Sequence, residues 1–140
     1  LGFQGSYISD LFFQSIGAIS YLISITLFVT GINIFNRKDL FLIIENIFFS
    51  IFYCIFGSLF FDFFHKNTFE LYINGNGGFV GQYLGQTFLG NILNLQTSIS
   101  YFFLLLLILA FFLISINFSP KGFWNFITKL INFVNKDKSN

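Results

Sequence analysis

Three long apolar runs separated by short polar breaks organise the chain. Residues 11–34 carry no charge, residues 40–64 carry Glu45 and Asp62 towards their two ends, and residues 98–116 are again uncharged. About 20 apolar residues suffice to cross a bilayer as an α-helix, so each run predicts one membrane span. The first run also holds Gly17, Ser20, Ser24 and Gly31, small residues of the kind through which membrane helices pack closely. Asn36, Arg37, Lys38 and Asp39 form a tight connection that returns the chain antiparallel. Residues 1–10 read as a loop outside the hydrocarbon, with Asp10 as the N-cap of the first span. Residues 65–74 read as a second, solvated loop, and residues 91–97 (NILNLQT) break the apolar pattern before the third span.

Residues 75–90, GNGGFVGQYLGQTFLG, stand apart from this alternation. Gly77, Gly81 and Gly85 recur every fourth residue and would share one stripe of a helix, beside a stripe of Val80, Leu84 and Phe88. A stripe without side chains lets another backbone approach, so the spacing predicts a short close-packing helix from about Phe79. The competing reading is a flexible glycine-rich loop.

After the third span, Ser119 and Pro120 read as a helix restart, with Ser at the N-cap and Pro at the first helical position. Phe123, Trp124, Phe126, Ile127, Leu130, Ile131 and Val134 then recur at steps of three and four, with Asn125, Thr128, Lys129 and Asn132 on the other face. This predicts an amphipathic helix over 119–134 lying in the membrane interface, with Trp124 as its anchor at headgroup depth. Residues 135–140 read as the start of a polar linker.

Composition supports the membrane reading. Of 140 residues, 55% are hydrophobic and 9% charged, and the mean hydropathy is +0.76. Soluble domains carry about 25% charged residues, and a short soluble chain has too little interior to hide so much apolar surface. The fold class expected is all-α: three transmembrane helices within residues 1–118, a glycine-rich extracytoplasmic helix and a C-terminal interfacial helix. The chain begins at Leu1 and contains no Met, which reads as a segment of something longer.

Charge sets an orientation. Arg37 and Lys38 lie between spans one and two, and Lys121, Lys129, Lys136 and Lys138 follow span three. With three spans these six fall on one side and Lys66 alone on the other. The positive-inside rule puts the six in the cytoplasm, with Arg37, Lys38, Lys121 and Lys129 as the principal determinants. The N-terminus and the glycine-rich segment are then expected outside, the C-terminus inside.

Catalytic chemistry finds little support. A phosphate-binding GxxxxGK[ST] loop needs a lysine, and none occurs between Lys66 and Lys121. GxGxxG fails as well, because Val80 stands where the third glycine is required after Gly75 and Gly77. His65 is the single histidine and Cys54 the single cysteine, which leaves no metal-ligand set and no internal disulfide. Glu45 reads as an interfacial acid near Lys38, with a functional intramembrane carboxylate as the alternative. No cofactor or metal is expected, and the sequence itself predicts no enzyme.

Two stretches resemble a known family. The opening LGFQGSYISDLFFQSIGAISYLISITLFVTGINIF is similar to the pattern GxxGAxxADxLFxxxGxxAYLLxxxLxxxGxxxF, matching at Gly2, Gly5, Asp10, Gly17, Tyr21, Leu22, Gly31 and Phe35. Gly77, Gly78, Gly81, Leu84 and Gly85 resemble the same family's GGxxGxxLGxxLxxxLG. This is the N-terminal four-helix membrane domain of the FtsK/SpoIIIE DNA translocases. Ser6, Ser9 and Ser20 depart from it where alanine is favoured, and the family's first span would precede Leu1.

The resemblance implies a membrane-anchoring and assembly domain in the bacterial inner membrane, at the division septum. It further implies a cytoplasmic linker leading to a hexameric ATPase that pumps DNA in chromosome segregation, and division proteins as membrane partners. DNA would be handled only by that motor, none of whose residues is present. Gly17, Gly77, Gly78, Gly81 and Gly85 would serve helix packing and homo-oligomeric assembly in the bilayer. The alternative, from a different class, is a small channel or transporter subunit with 77–85 as a pore or re-entrant loop.

Overall fold

A computed structural model describes residues 2–37, 41–66, 68, 73–119 and 128. Among these the structure is helical, without strands. The elements are α1 (Gly2–Ile16), a single 3-10 turn (Gly17–Ile19), α2 (Ser20–Arg37), α3 (Phe41–Phe64), α4 (Gly78–Gly85), α5 (Phe88–Leu95) and α6 (Thr97–Ser115). Three stretches are long and apolar enough to cross a membrane: Gly2–Phe35, Phe41–Phe64 and Thr97–Ser115.

α3 is the central helix, and α2 and α6 run antiparallel to it. The packing of α6 on α3 is aromatic. Phe52 and Phe56 of α3 stack on Phe111, with ring centroids 5.2 and 5.8 Å apart, and Tyr53 meets Phe112 edge-on at 5.8 Å. Leu59, Phe60, Leu93 and Leu104 form one buried cluster, which joins α5 to the α3–α6 seam. Ile19, Tyr53 and Cys54 form a second, between the 3-10 turn and α3. Without a hydrophobic drive between helices in lipid, such interlocking shape is what holds them together.

The first span differs from its sequence expectation. Residues 2–10 are helical rather than a loop, and Asp10 lies inside α1, where its carboxylate accepts from Gln14 Nε2 at 2.8 Å. The apolar stretch Gly2–Phe35 has 34 residues. At 1.5 Å per residue that is about 50 Å, well beyond a hydrocarbon core of about 30 Å. The break at Gly17 divides it, and α2, with 18 residues, is close to one bilayer thickness. Residues 91–97 also differ: α5 continues to Leu95, and the helix direction changes only at Gln96, whose φ and ψ are −145° and 79°.

Lys38, Lys121, Trp124, Lys129, most of the expected 119–134 helix and the 135–140 linker lie outside the described residues. Arg37 closes α2.

Candidate helix-packing site

Gly17 interrupts the first span because its φ is +69°, a left-handed conformation that non-glycine residues rarely adopt. In an unbroken helix the Ala18 amide would donate to the Gln14 carbonyl. Here Ala18 N–H donates instead to the Asn76 carbonyl at 2.8 Å. The Gln14 carbonyl so released accepts from Asn74 Nδ2 at 3.2 Å, and the Ile16 carbonyl beside it accepts from Ser58 Oγ at 2.9 Å. Broken backbone at membrane depth is tolerated only where protein satisfies the freed groups. Residues 74–76 and α3 supply those partners.

The 74–78 segment is held in turn. Asn76 is fully buried and its side chain donates to the His65 carbonyl at the end of α3. Gln82 Nε2 of α4 donates to the Asn74 carbonyl at 2.8 Å. Gly75 and Gly78 take φ of +70° and +64°, which gives the turn its sharp reversal into α4. His65, expected as a solvated loop residue, is half-buried against the rings of Phe60 and Tyr101, with centroids at 5.5 and 6.2 Å.

α4 lays its glycine stripe on α3. A Cβ at Gly77 would stand 2.5 Å from the Ser58 carbonyl oxygen and 2.6 Å from Asp62 Cβ. At Gly81 it would stand 2.9 Å from the Ser58 carbonyl carbon and 3.0 Å from Asp62 Cβ, and at Gly85 2.8 Å from Asp62 Oδ2. Nonbonded carbons prefer about 3.5–4.0 Å, so Gly77 and Gly81 have no room for a side chain, while one at Gly85 would displace only the Asp62 carboxylate. Gly78 points the other way, where a Cβ would stand 2.5 Å from the Gly17 nitrogen. The four-residue spacing thus aims Gly77, Gly81 and Gly85 at Ser58 and Asp62, which are themselves four apart, while Gly78 meets Gly17 at the helix break. Phe88 leaves this helix: Thr87 caps α5, its Oγ1 accepting from Leu89 N–H at 3.4 Å.

A polar ladder ties the opposite end of the bundle. Asn46, 1% exposed, donates from Nδ2 to Thr30 Oγ1 at 2.7 Å, and its Oδ1 accepts from Asn117 Nδ2 at 2.5 Å. Ser115 Oγ donates to the Asn46 carbonyl at 3.0 Å, and Ser50 and Ser115 hydroxyls lie 2.9 Å apart. Thr26 Oγ1 and Tyr53 OH, 3.0 Å apart, add a contact nearer the middle. α2, α3 and α6 are pinned in register by these bonds.

The sequence reading did not single out Asn46, Asn74, Asn76 or Ser58. An uncharged polar residue within a span was the available signal for Asn46 and Ser58. Asn74 and Asn76 carried none beyond their place beside glycines. No group of three or more His, Cys, Asp and Glu positioned for a metal occurs among the described residues. What the site offers is packing and backbone satisfaction.

A family model, the 4TM region of DNA translocase FtsK/SpoIIIE, matches residues 1–129. No curated protein and no solved structure matches the chain.

Proposed function

The chain belongs to the family of the 4TM region of FtsK/SpoIIIE DNA translocases, and from that we propose that it is the membrane-anchoring and assembly domain of a septal DNA translocase in bacterial cell division. The family match over residues 1–129 carries this reading. The chemistry of the chain agrees with it: Asn46, Ser58, Thr26 and Ser115 bond between elements, and Gly17, Gly77, Gly78 and Gly81 serve close approach.

In this reading the domain is a multi-pass protein of the bacterial inner membrane. The 74–90 segment faces the periplasm, and residues 37–40 and 120–140 face the cytoplasm, following the distribution of basic residues. It assembles as a homo-oligomer, a hexamer if it follows the motor, and contacts other membrane proteins of the division machinery. ATP hydrolysis and DNA contact belong to a motor domain joined through a cytoplasmic linker.

The test has two parts. The native reading frame should continue past Asn140 through a polar linker to a GxxxxGK[ST] motif, and the full-length protein carrying a fluorescent tag should concentrate at mid-cell in dividing cells. A frame without that motif, or uniform membrane fluorescence throughout division, contradicts the assignment.

A further inference from the structure

α4 and α5 have eight residues each, about 12 Å at the helical rise, and neither can cross a hydrocarbon core of about 30 Å. Both nevertheless sit at the depth of the spans. The Gly77–Gly85 stripe runs about 12 Å, but it meets α3 only over Ser58 to Asp62, about 6 Å of that helix. α4 therefore crosses α3 at a wide angle instead of running beside it, and it does so inside the span Phe41–Phe64. α5 lies at the same level, where Leu93 packs with Leu59, Phe60 and Leu104. Leu104 is well inside α6, about 10 Å along that helix from its start at Thr97.

Helical periodicity divides α5 into three faces. Leu89 and Leu93 turn inward to the α3–α6 seam. Phe88, Ile92 and Leu95 form an exposed apolar edge, and Asn91 and Asn94 an exposed polar one. On α4, Phe79 and Tyr83 stand exposed on the side away from the glycine stripe, their rings stacked at 6.3 Å. Residues 71–120 carry no charged side chain. A helix pair bathed in water would show charge where this one shows phenyl and alkyl groups. A helix with one apolar edge and one polar edge is the form that lies in the plane of a membrane interface.

We propose that α4 and α5 form a ledge embedded in the outer leaflet of the bilayer, with acyl chains packed on the Phe79–Tyr83 pair and on the Phe88–Ile92–Leu95 edge. The Asn91 and Asn94 amides then donate to lipid ester and phosphate oxygens. The level of the ledge identifies its partner. Phe102, Phe103 and Leu106 of α6 flank Leu104 and are exposed, so α6 already meets hydrocarbon at this height, and the open face of α5 beside it meets the same medium. Backbone at such a depth must satisfy its own hydrogen bonds, and it does so here by being helical on both sides of the Thr87 cap. That the leaflet is the outer one rests on the charge-derived orientation; the embedding itself does not.

The experiment uses the full-length protein in phospholipid nanodiscs, with its native cysteines, Cys54 included, replaced by serine. A nitroxide is attached at Tyr83→Cys or Ile92→Cys on the ledge, at Phe103→Cys on the exposed face of α6, or at Thr68→Cys beyond the end of α3. The expected result is that oxygen relaxes the label several-fold more than a water-soluble nickel chelate does at 83 and 92, as at 103, with the reverse order at 68. Nickel exceeding oxygen at 83 and 92 overturns the proposal, because the face is then wet. Low access to both reagents also overturns it, because a second copy or another protein then covers the face. In protein without substitutions, a phospholipid carrying a diazirine on its acyl chain should label peptides from 79–95 as well as α6, and labelling of α6 alone counts against the ledge. These readouts report depth whichever way the domain faces, so a reversed orientation leaves them unchanged and shows only in the side of the membrane that reporter fusions detect.

Discussion

The Ala18 amide donates to the Asn76 carbonyl at 2.8 Å, across more than fifty residues of sequence, and this bond joins the break in the first span to the glycine-rich segment. It exists because Gly17 turns the Ala18 N–H out of the helix, and because Gly77 and Gly78 let residues 76–78 come down against the break. A Cβ on Gly17 would stand 2.6 Å from the Asn76 carbonyl carbon. Gly17→Ala should therefore destabilise the domain. The left-handed φ alone costs about 1–3 kcal/mol for a non-glycine residue, and the steric conflict adds to it. Gly5→Ala and Gly31→Ala, where nothing lies within 4 Å, serve as controls and should be near neutral. Unfolding of the three variants in mild detergent measures the difference. Equal stability of Gly17→Ala and Gly31→Ala would remove the break from the account.

The α4 stripe makes a graded prediction. Gly81 faces the backbone of Ser58, which cannot swing aside, whereas the nearest atom to Gly85 is the end of the Asp62 side chain. Gly81→Ala should cost about 1–3 kcal/mol, the range for forced overpacking, and Gly85→Ala distinctly less. The same unfolding assay ranks them, and the reverse order contradicts the placement of the stripe on α3.

Much of this arrangement was legible in the chain. The three spans follow from long apolar runs whose middles carry no charge, and the stripe of Gly77, Gly81 and Gly85 from its regular spacing. The break at Gly17 was not, because a lone glycine in an apolar run is compatible with a continuous helix, and its conformation depends on a partner nearly sixty residues later. The helical state of residues 2–10 was masked by Gly2, Gly5, Ser6 and Ser9, which are weak helix formers, and these residues are exposed in the structure. Asn46 stood next to the more conspicuous Glu45, yet Asn46 is the residue turned inward, bonded to Thr30 and Asn117. Adjacent positions on a helix lie about 100° apart, and sequence alone does not say which of the two faces the neighbours.

Asn46 and Thr30 should be energetically coupled. In a double-mutant cycle of Asn46→Leu and Thr30→Val, the interaction energy should be about 0.5–1.7 kcal/mol, the range found for interhelical hydrogen bonds in membranes. Glu45→Gln provides the comparison and should change stability little. A cycle that sums to zero would show that the bond does not hold α2 on α3.

The orientation proposed from charge is tested by reporter fusions after residue 37 and after residue 75. A cytoplasmic reporter should be active at 37 and silent at 75, and a periplasmic reporter should give the reverse. Cytoplasmic activity at 75 sinks the topology.

The central claim is that close packing through the glycine-rich helix lets this domain assemble and anchor its protein at the division site. It is tested most directly by imaging tagged full-length Gly81→Leu beside Gly31→Leu in dividing cells, with membrane fractionation and native mass on the same samples. The account predicts that both variants insert at wild-type levels, that Gly31→Leu assembles and concentrates at mid-cell, and that Gly81→Leu loses its oligomer and spreads through the membrane. Gly81→Leu at mid-cell with an unchanged oligomeric state would contradict it.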